Sequence, residues 1–188
     1  PESIVTNGMS AYARAEENAN SALICQVSQE DFGEEDLAGL SFQEELEGKA
    51  YFLSQEGAVS DYAKEAAENC AKEIALDYAA PVQEVGDFIS AVLSRYPEAK
   101  AELDDILVRV QHINAALPAE LRRAQPSYKP LVRQADLSGL YPREITLALC
   151  EALLHMGTKL QGFAAGQAVL TAAETRSSSA LRILRDIE

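Results

Sequence analysis

The pattern of apolar and polar positions predicts a helical middle between two strand-like ends. Ser3-Ile4-Val5-Thr6 reads as a strand running into Asn7-Gly8, which suits a tight turn because both residues tolerate positive φ. A polar stretch covers 10–20. Residues 21–28 then alternate, with Leu23, Cys25 and Val27 on one side, as a half-buried strand does. Phe42, Leu46, Ala50 and Leu53 follow helical spacing. A second helix is expected over 61–78, with Tyr62, Ala66, Cys70 and Ile74 on one stripe and Ser60 as its cap. Pro81 suits the first turn of a third, carrying Val82, Val85, Ile89, Val92 and Tyr96. Pro97 opens a fourth, with Leu103, Ile106, Val110, Ile113 and Leu117 in step. Between Pro118 and Arg143, four prolines predict irregular structure. Pro142 starts a fifth helix with Ile145, Leu149, Ala152 and Met156 inward, ended by Gly157. Residues 169–175 and 181–184 read as strands separated by Ser177-Ser178-Ser179.

This order predicts an α+β fold: a small antiparallel sheet or barrel built by strands from both chain ends, plus a helical bundle. Residues 1–34 and 165–188 are expected to be mainly β, and 35–160 mainly helical. Pairing of the two ends would bring the termini together, as in a domain inserted into a loop of another. Pro1 is not an initiator methionine, and the apolar run near Ile187 is cut at Glu188, so both ends look like edges within a longer chain.

Composition narrows the class. The 188 residues are 47% apolar and 24% charged, ordinary for a soluble globular protein of one domain or two small ones. No apolar run approaches the roughly 18 residues of a membrane span, and no signal peptide is visible. Thirty acids against 16 bases give a net charge of −14, which argues against nucleic acid as a partner. Between residues 15 and 48 stand ten acids and no base, the texture of a solvated face. Cys25, Cys70 and Cys150 are an odd number at wide spacing, which fits reduced thiols in a cytoplasm. His112 and His155 are too few and too far apart for an evident zinc site.

The common catalytic fingerprints are absent. The chain contains no GxGxxG, P-loop, GxSxG or HExxH. Asp31-Phe32-Gly33 matches the kinase metal triad by letters only. Carboxylate pairs such as Asp104-Asp105 stand in exposed-looking stretches, so solvation explains them better than acid–base work. Cys150 and His155 read as packing and boundary residues of the fifth helix.

Two donor-rich segments resist a structural explanation. NGMSAYARAEENANSALI, residues 7–24, crowds small polar residues and Arg14 between two strands. ETRSSSALRI, residues 174–183, places Arg176 and three serines on a strand-turn-strand. Such a loop suits an anion or a cofactor ring, with Arg176 as a fork donor.

These segments, with APVQEVGDFI (80–89), SYKPLV (127–132) and LQGFA (160–164) between them, come in a recognisable order. The chain resembles the bacterial FAD-dependent dehydrogenases, the NAD(FAD)-utilising family related to aminoacetone oxidase-like flavoproteins. The resemblance implies an inserted substrate-capping domain of a Rossmann-type flavoprotein, with the FAD-binding domain outside this chain. It implies FAD as cofactor, the FAD domain of the same parent chain as partner, and a small-molecule substrate. Asn7, Met9, Ser10, Arg14, Asn20, Tyr128, Arg176, Ser177 and Ser178 are then the candidates to face substrate or flavin. Arg176 would orient an anionic or carbonyl group, and the serines would donate hydrogen bonds. Residues 55–78 would be an added helix. A free-standing acidic helical interaction module is the alternative.

Overall fold

A computed structural model describes residues 2–8, 12, 13, 15, 18–59, 79–118, 126, 128 and 131–177. The expected helix over 61–78 and strand over 181–184 lie outside the described residues. So do the candidates Met9, Ser10, Arg14 and Ser178.

In chain order the elements are α1 (Gln29–Phe32), α2 (Ala38–Glu56), β1 (Ala58–Val59), β2 (Ala80–Glu84), α3 (Val85–Arg95), α4 (Lys100–Ala115), β3 (Val132–Gln134), α5 (Arg143–Lys159) and β4 (Val169–Thr171). A 3-10 turn at Pro97–Ala99 leads into α4, and another spans Leu137–Gly139. The four strands form one sheet in the order β1-β3-β2-β4. β2 pairs parallel with β3 (Val82 opposite Gln134) and antiparallel with β4 (Val82 opposite Thr171); β1 lies antiparallel to β3.

The fold is therefore mixed α and β, but three of its strands come from the middle of the chain rather than its ends. The sheet is mixed rather than antiparallel. Prolines account for the difference at two strands. Pro81 was expected to open a helix, yet it sits second in β2, opposite Arg133, where its carbonyl accepts from Ala172 N–H at 3.1 Å. A strand tolerates proline near its start, where a ladder N–H can be spared. The helix begins at Val85 instead, and Ile89 and Val92 still face inward. Val132–Gln134 pairs on both sides although prolines surround it.

At the N-terminal end the expected strands do not form. Ile4 and Thr6 are buried on an extended segment that, among the described residues, bonds through its backbone N–H groups at two points: Ile4 N–H to Glu47 O (3.1 Å) and Thr6 N–H to Ala173 O (2.7 Å). Residues 21–28 form no ladder among the described residues. The alternation there is real but shallow, since Val27 is exposed, and Ser28 turns the chain into α1. The Asp31 carboxylate accepts from the Ser28 N–H at 2.6 Å, which fixes that turn.

The core lies between the sheet and α2, α3, α4 and α5, where Ala50, Val82, Phe88, Val92, Leu140 and Leu154 are buried. α5 runs two residues past Gly157, and its inner stripe is Ile145, Cys150, Leu153 and Leu154 rather than Leu149, Ala152 and Met156. Burial pushes the Cys150 thiol up to about 11, so it acts as an apolar packing group. His155 is exposed beside Glu151, at 3.5 Å. At the far side of the sheet, Gln83 is buried and its Oε1 accepts from Leu137 N–H at 2.8 Å, tying β2 to the 3-10 turn.

Candidate functional site: a buried carboxylate where the chain's two arms meet

The inner face of α2 carries Leu46, Glu47, Ala50 and Ser54. Glu47 is 2% exposed. An isolated ionised carboxylate there would be costly, and the structure surrounds it with donors. Gln43 Nε2, one turn earlier, donates to Oε1 at 2.9 Å, and Thr175 Oγ1 donates to the same oxygen at 2.7 Å. Arg176 closes a fork, Nε to Oε1 at 2.9 Å and Nη2 to Oε2 at 2.7 Å. The Arg176 fork holds the Glu47 carboxyl down to about 2, against burial that pushes the other way; Thr175 and Gln43 assist. The pair in turn raises the Arg176 guanidinium.

Backbone bonds bring both arms to this spot. The Glu47 carbonyl holds Ile4, and Ala173 holds Thr6. Beyond Thr6, a Cβ built on Gly8 would stand 3.9 Å from Glu174 Oε2 and 4.0 Å from Asn20 Oδ1. Asn7-Gly8, Asn20 and the segment Glu174–Ser177 therefore share one patch. Asn7, Asn20, Glu174 and Ser177 are exposed, and the Arg176 side chain is 61% exposed. Among the described residues the Arg176 Nη1 meets no hydrogen-bond partner. Tyr128 is half-buried against the core, where burial raises its phenol, and no described hydrogen bond joins it to the patch.

Glu47 is the member that the sequence reading missed. It belongs to the run of acids whose texture is that of a solvated face, and Glu30, Glu34, Glu44 and Glu45 do lie exposed. The signal was its register: 43, 47, 50 and 54 step along one helix face that also holds Leu46.

Among the described residues, depressions lie elsewhere. A groove of about 470 Å³ runs between α3, α4 and residues 164–167, walled by Ile89, Leu93, Leu107 and Val110. At its edge Asn114 Nδ2 donates to the Ala164 carbonyl at 2.7 Å, while Asn114 Oδ1 is buried with no partner among the described residues. A second, of about 590 Å³, is lined by Asp31, Glu34, Glu35, Phe42 and Glu45. Among the described residues no cluster of His, Cys, Asp or Glu could hold a metal ion, and no helix is long and apolar enough to cross a membrane.

A mixed α and β domain with a donor patch where its arms converge defines a structural class, and comparison places it among known proteins. Residues 1–64 and 104–177, more than half of the chain, match the family described as FAD-dependent protein, C-terminal domain-like. The chain belongs to that family, which associates it with a FAD-dependent protein. An uncharacterized protein of Clostridium beijerinckii (strain ATCC 51743 / NCIMB 8052) is 32% identical over 184 residues, covering 97% of this chain and 26% of the relative. The chain thus spans about a quarter of the length of that relative. No solved structure matches it significantly.

The family implies FAD, whose pyrophosphate asks for free backbone N–H groups at a helix N-terminus behind a glycine-rich turn. Among the described residues, the strand that feeds directly into a helix is β2 into α3. Its first amides are already spent, Val85 N–H on the Ala168 carbonyl (2.8 Å) and Gly86 N–H on the Gly166 carbonyl (2.9 Å). The described residues do not fit a pyrophosphate cradle. What the patch offers is side-chain donors.

Proposed function

We propose that this chain is the substrate-capping domain of a cytoplasmic FAD-dependent dehydrogenase, inserted into a Rossmann-type domain that binds the flavin within the same polypeptide. In this reading hydride transfer is the cofactor's chemistry. The domain covers the flavin, excludes water and shapes the pocket of a small-molecule substrate. Asn7, Asn20, Arg176 and Ser177 line the pocket side, and Met9, Ser10, Arg14, Tyr128 and Ser178 are the further candidates. The observation that carries the proposal is the convergence of both arms and the donor patch at Glu47. An inserted domain needs its entry and exit side by side, and a cap needs its polar groups on the side it closes. Family membership supports the cofactor.

The test is the visible spectrum and mass of the native full-length protein, followed by steady-state kinetics of its Ser177→Ala and Asn20→Ala variants. A yellow protein much heavier than 20.3 kDa, whose variants keep their flavin but raise KM, is the expected result. A colourless protein, or variants with unchanged kinetics, would overturn the proposal.

A further inference from the structure

We infer that the Arg176 patch selects an uncharged carbonyl group and discriminates against carboxylates and phosphates. The inference rests on the capping proposal and names the substrate chemistry of that same site. An arginine recognises an anion best through its planar fork, with charge to spare. Arg176 has neither. Its Nε and Nη2 edge is closed on Glu47, and the buried carboxylate cancels its charge. Nη1 remains to donate, with the exposed Ser177 hydroxyl beside it in sequence. The other described charge in the patch is Glu174, whose carboxylate lies beside the Asn7-Gly8 turn. Among the described residues one cation therefore stands with two carboxylates, while Asn7, Asn20 and Ser177 are neutral. A second anion would meet net repulsion from these groups, while a carbonyl oxygen would meet the Arg176 Nη1 N–H and the exposed Ser177 hydroxyl and leave the local charge unchanged. Glu47 is in this account a positioning residue: it fixes the guanidinium so that Nη1 faces outward, and it sets the preference by charge.

Benzamide and benzoate test this, being nearly the same shape and differing by one charge. Calorimetric titration of the full-length, flavin-loaded protein at pH 7.5 should show benzamide binding at least about tenfold more tightly than benzoate. Glu47→Gln leaves the Arg176 charge uncompensated and should cut that ratio by about tenfold or invert it. Should that variant fail to fold, as read by circular dichroism, Glu174→Gln carries the test: its side chain is exposed, and it should cut the ratio about threefold. Benzoate binding wild type as tightly as benzamide, no heat from benzamide at millimolar concentration, or a ratio unchanged in every folded variant would overturn the inference. The flavin band recorded in the same titration reads the capping proposal separately. Selective binding without a spectral shift would sink the cap and leave the selectivity standing. A shift with no selectivity would do the reverse.

Discussion

At the level of single residues, Glu47 and Arg176 are unequal partners. Removing Arg176 leaves a buried carboxylate with only Gln43 and Thr175 as donors. Removing the charge of Glu47 leaves a guanidinium that is already largely in water. Arg176→Leu should therefore cost about 2–4 kcal/mol, and Glu47→Gln about 1 kcal/mol, in urea unfolding. Equal losses would mean that the pair does not carry its burden asymmetrically. The same carboxyl gives the protein an acid limit. Folding lowers Glu47 from 4.5 to about 2, so its contribution is whole above pH 4.5 and drains away as the pH falls towards 2. Glu98, held down by Arg143, and Asp136, held by Ser138 and Arg95, act in the same direction. Urea midpoints of wild type should fall steeply between pH 4.5 and 2, and those of Glu47→Gln should fall less. Parallel curves would place the acid sensitivity elsewhere.

Among the elements, those with a long, strongly periodic stripe were legible in the sequence. α2, α4 and α5 stand where the 3-4 spacing placed them, though α5 buries a shifted stripe, because a wide apolar stripe leaves a chain few other ways to bury it. The short strands were not legible. β2 has five residues and β3 three, too few for a period to show, and prolines pointed the other way at both. Their pairing is decided by partners far along the chain. Helix crossings carry a further testable detail. Gly157 lies inside α5, where alanine would ordinarily stabilise a helix by about 1 kcal/mol. A Cβ there would stand 2.7 Å from Ala164 Cβ and 3.2 Å from Val110 Cγ2, so α4 and the 160–164 turn would have to give way. Overpacking of this kind costs about 1–3 kcal/mol. The thermal midpoint of Gly157→Ala should fall. A rise would show that the crossing has slack.

For the whole molecule, the sequence made half of the patch legible. Arg176, Ser177, Asn7 and Asn20 stood out because donors are dense there without a helix or core to explain them. Glu47, 129 residues from its arginine, stayed hidden because only the fold brings the two together. The same topology bears on the cofactor. This chain has no glycine-rich turn, the first amides of α3 are occupied, and its charge of −14 repels a diphosphate. Among the described residues, Arg176 Nη1, Asn7 and Ser177 offer side-chain donors on one patch, which suit a ring or a substrate better than a dinucleotide. FAD affinity should accordingly reside in the rest of the parent polypeptide. Equilibrium dialysis of the 188-residue chain, with circular dichroism confirming that its helices are present, should give a Kd for FAD no tighter than about 100 µM, roughly −5.5 kcal/mol. The full-length protein should retain its flavin through gel filtration. Tight FAD binding by the chain alone would mean that a phosphate site exists within these 188 residues, and would turn the domain from a cap into a cofactor-binding unit.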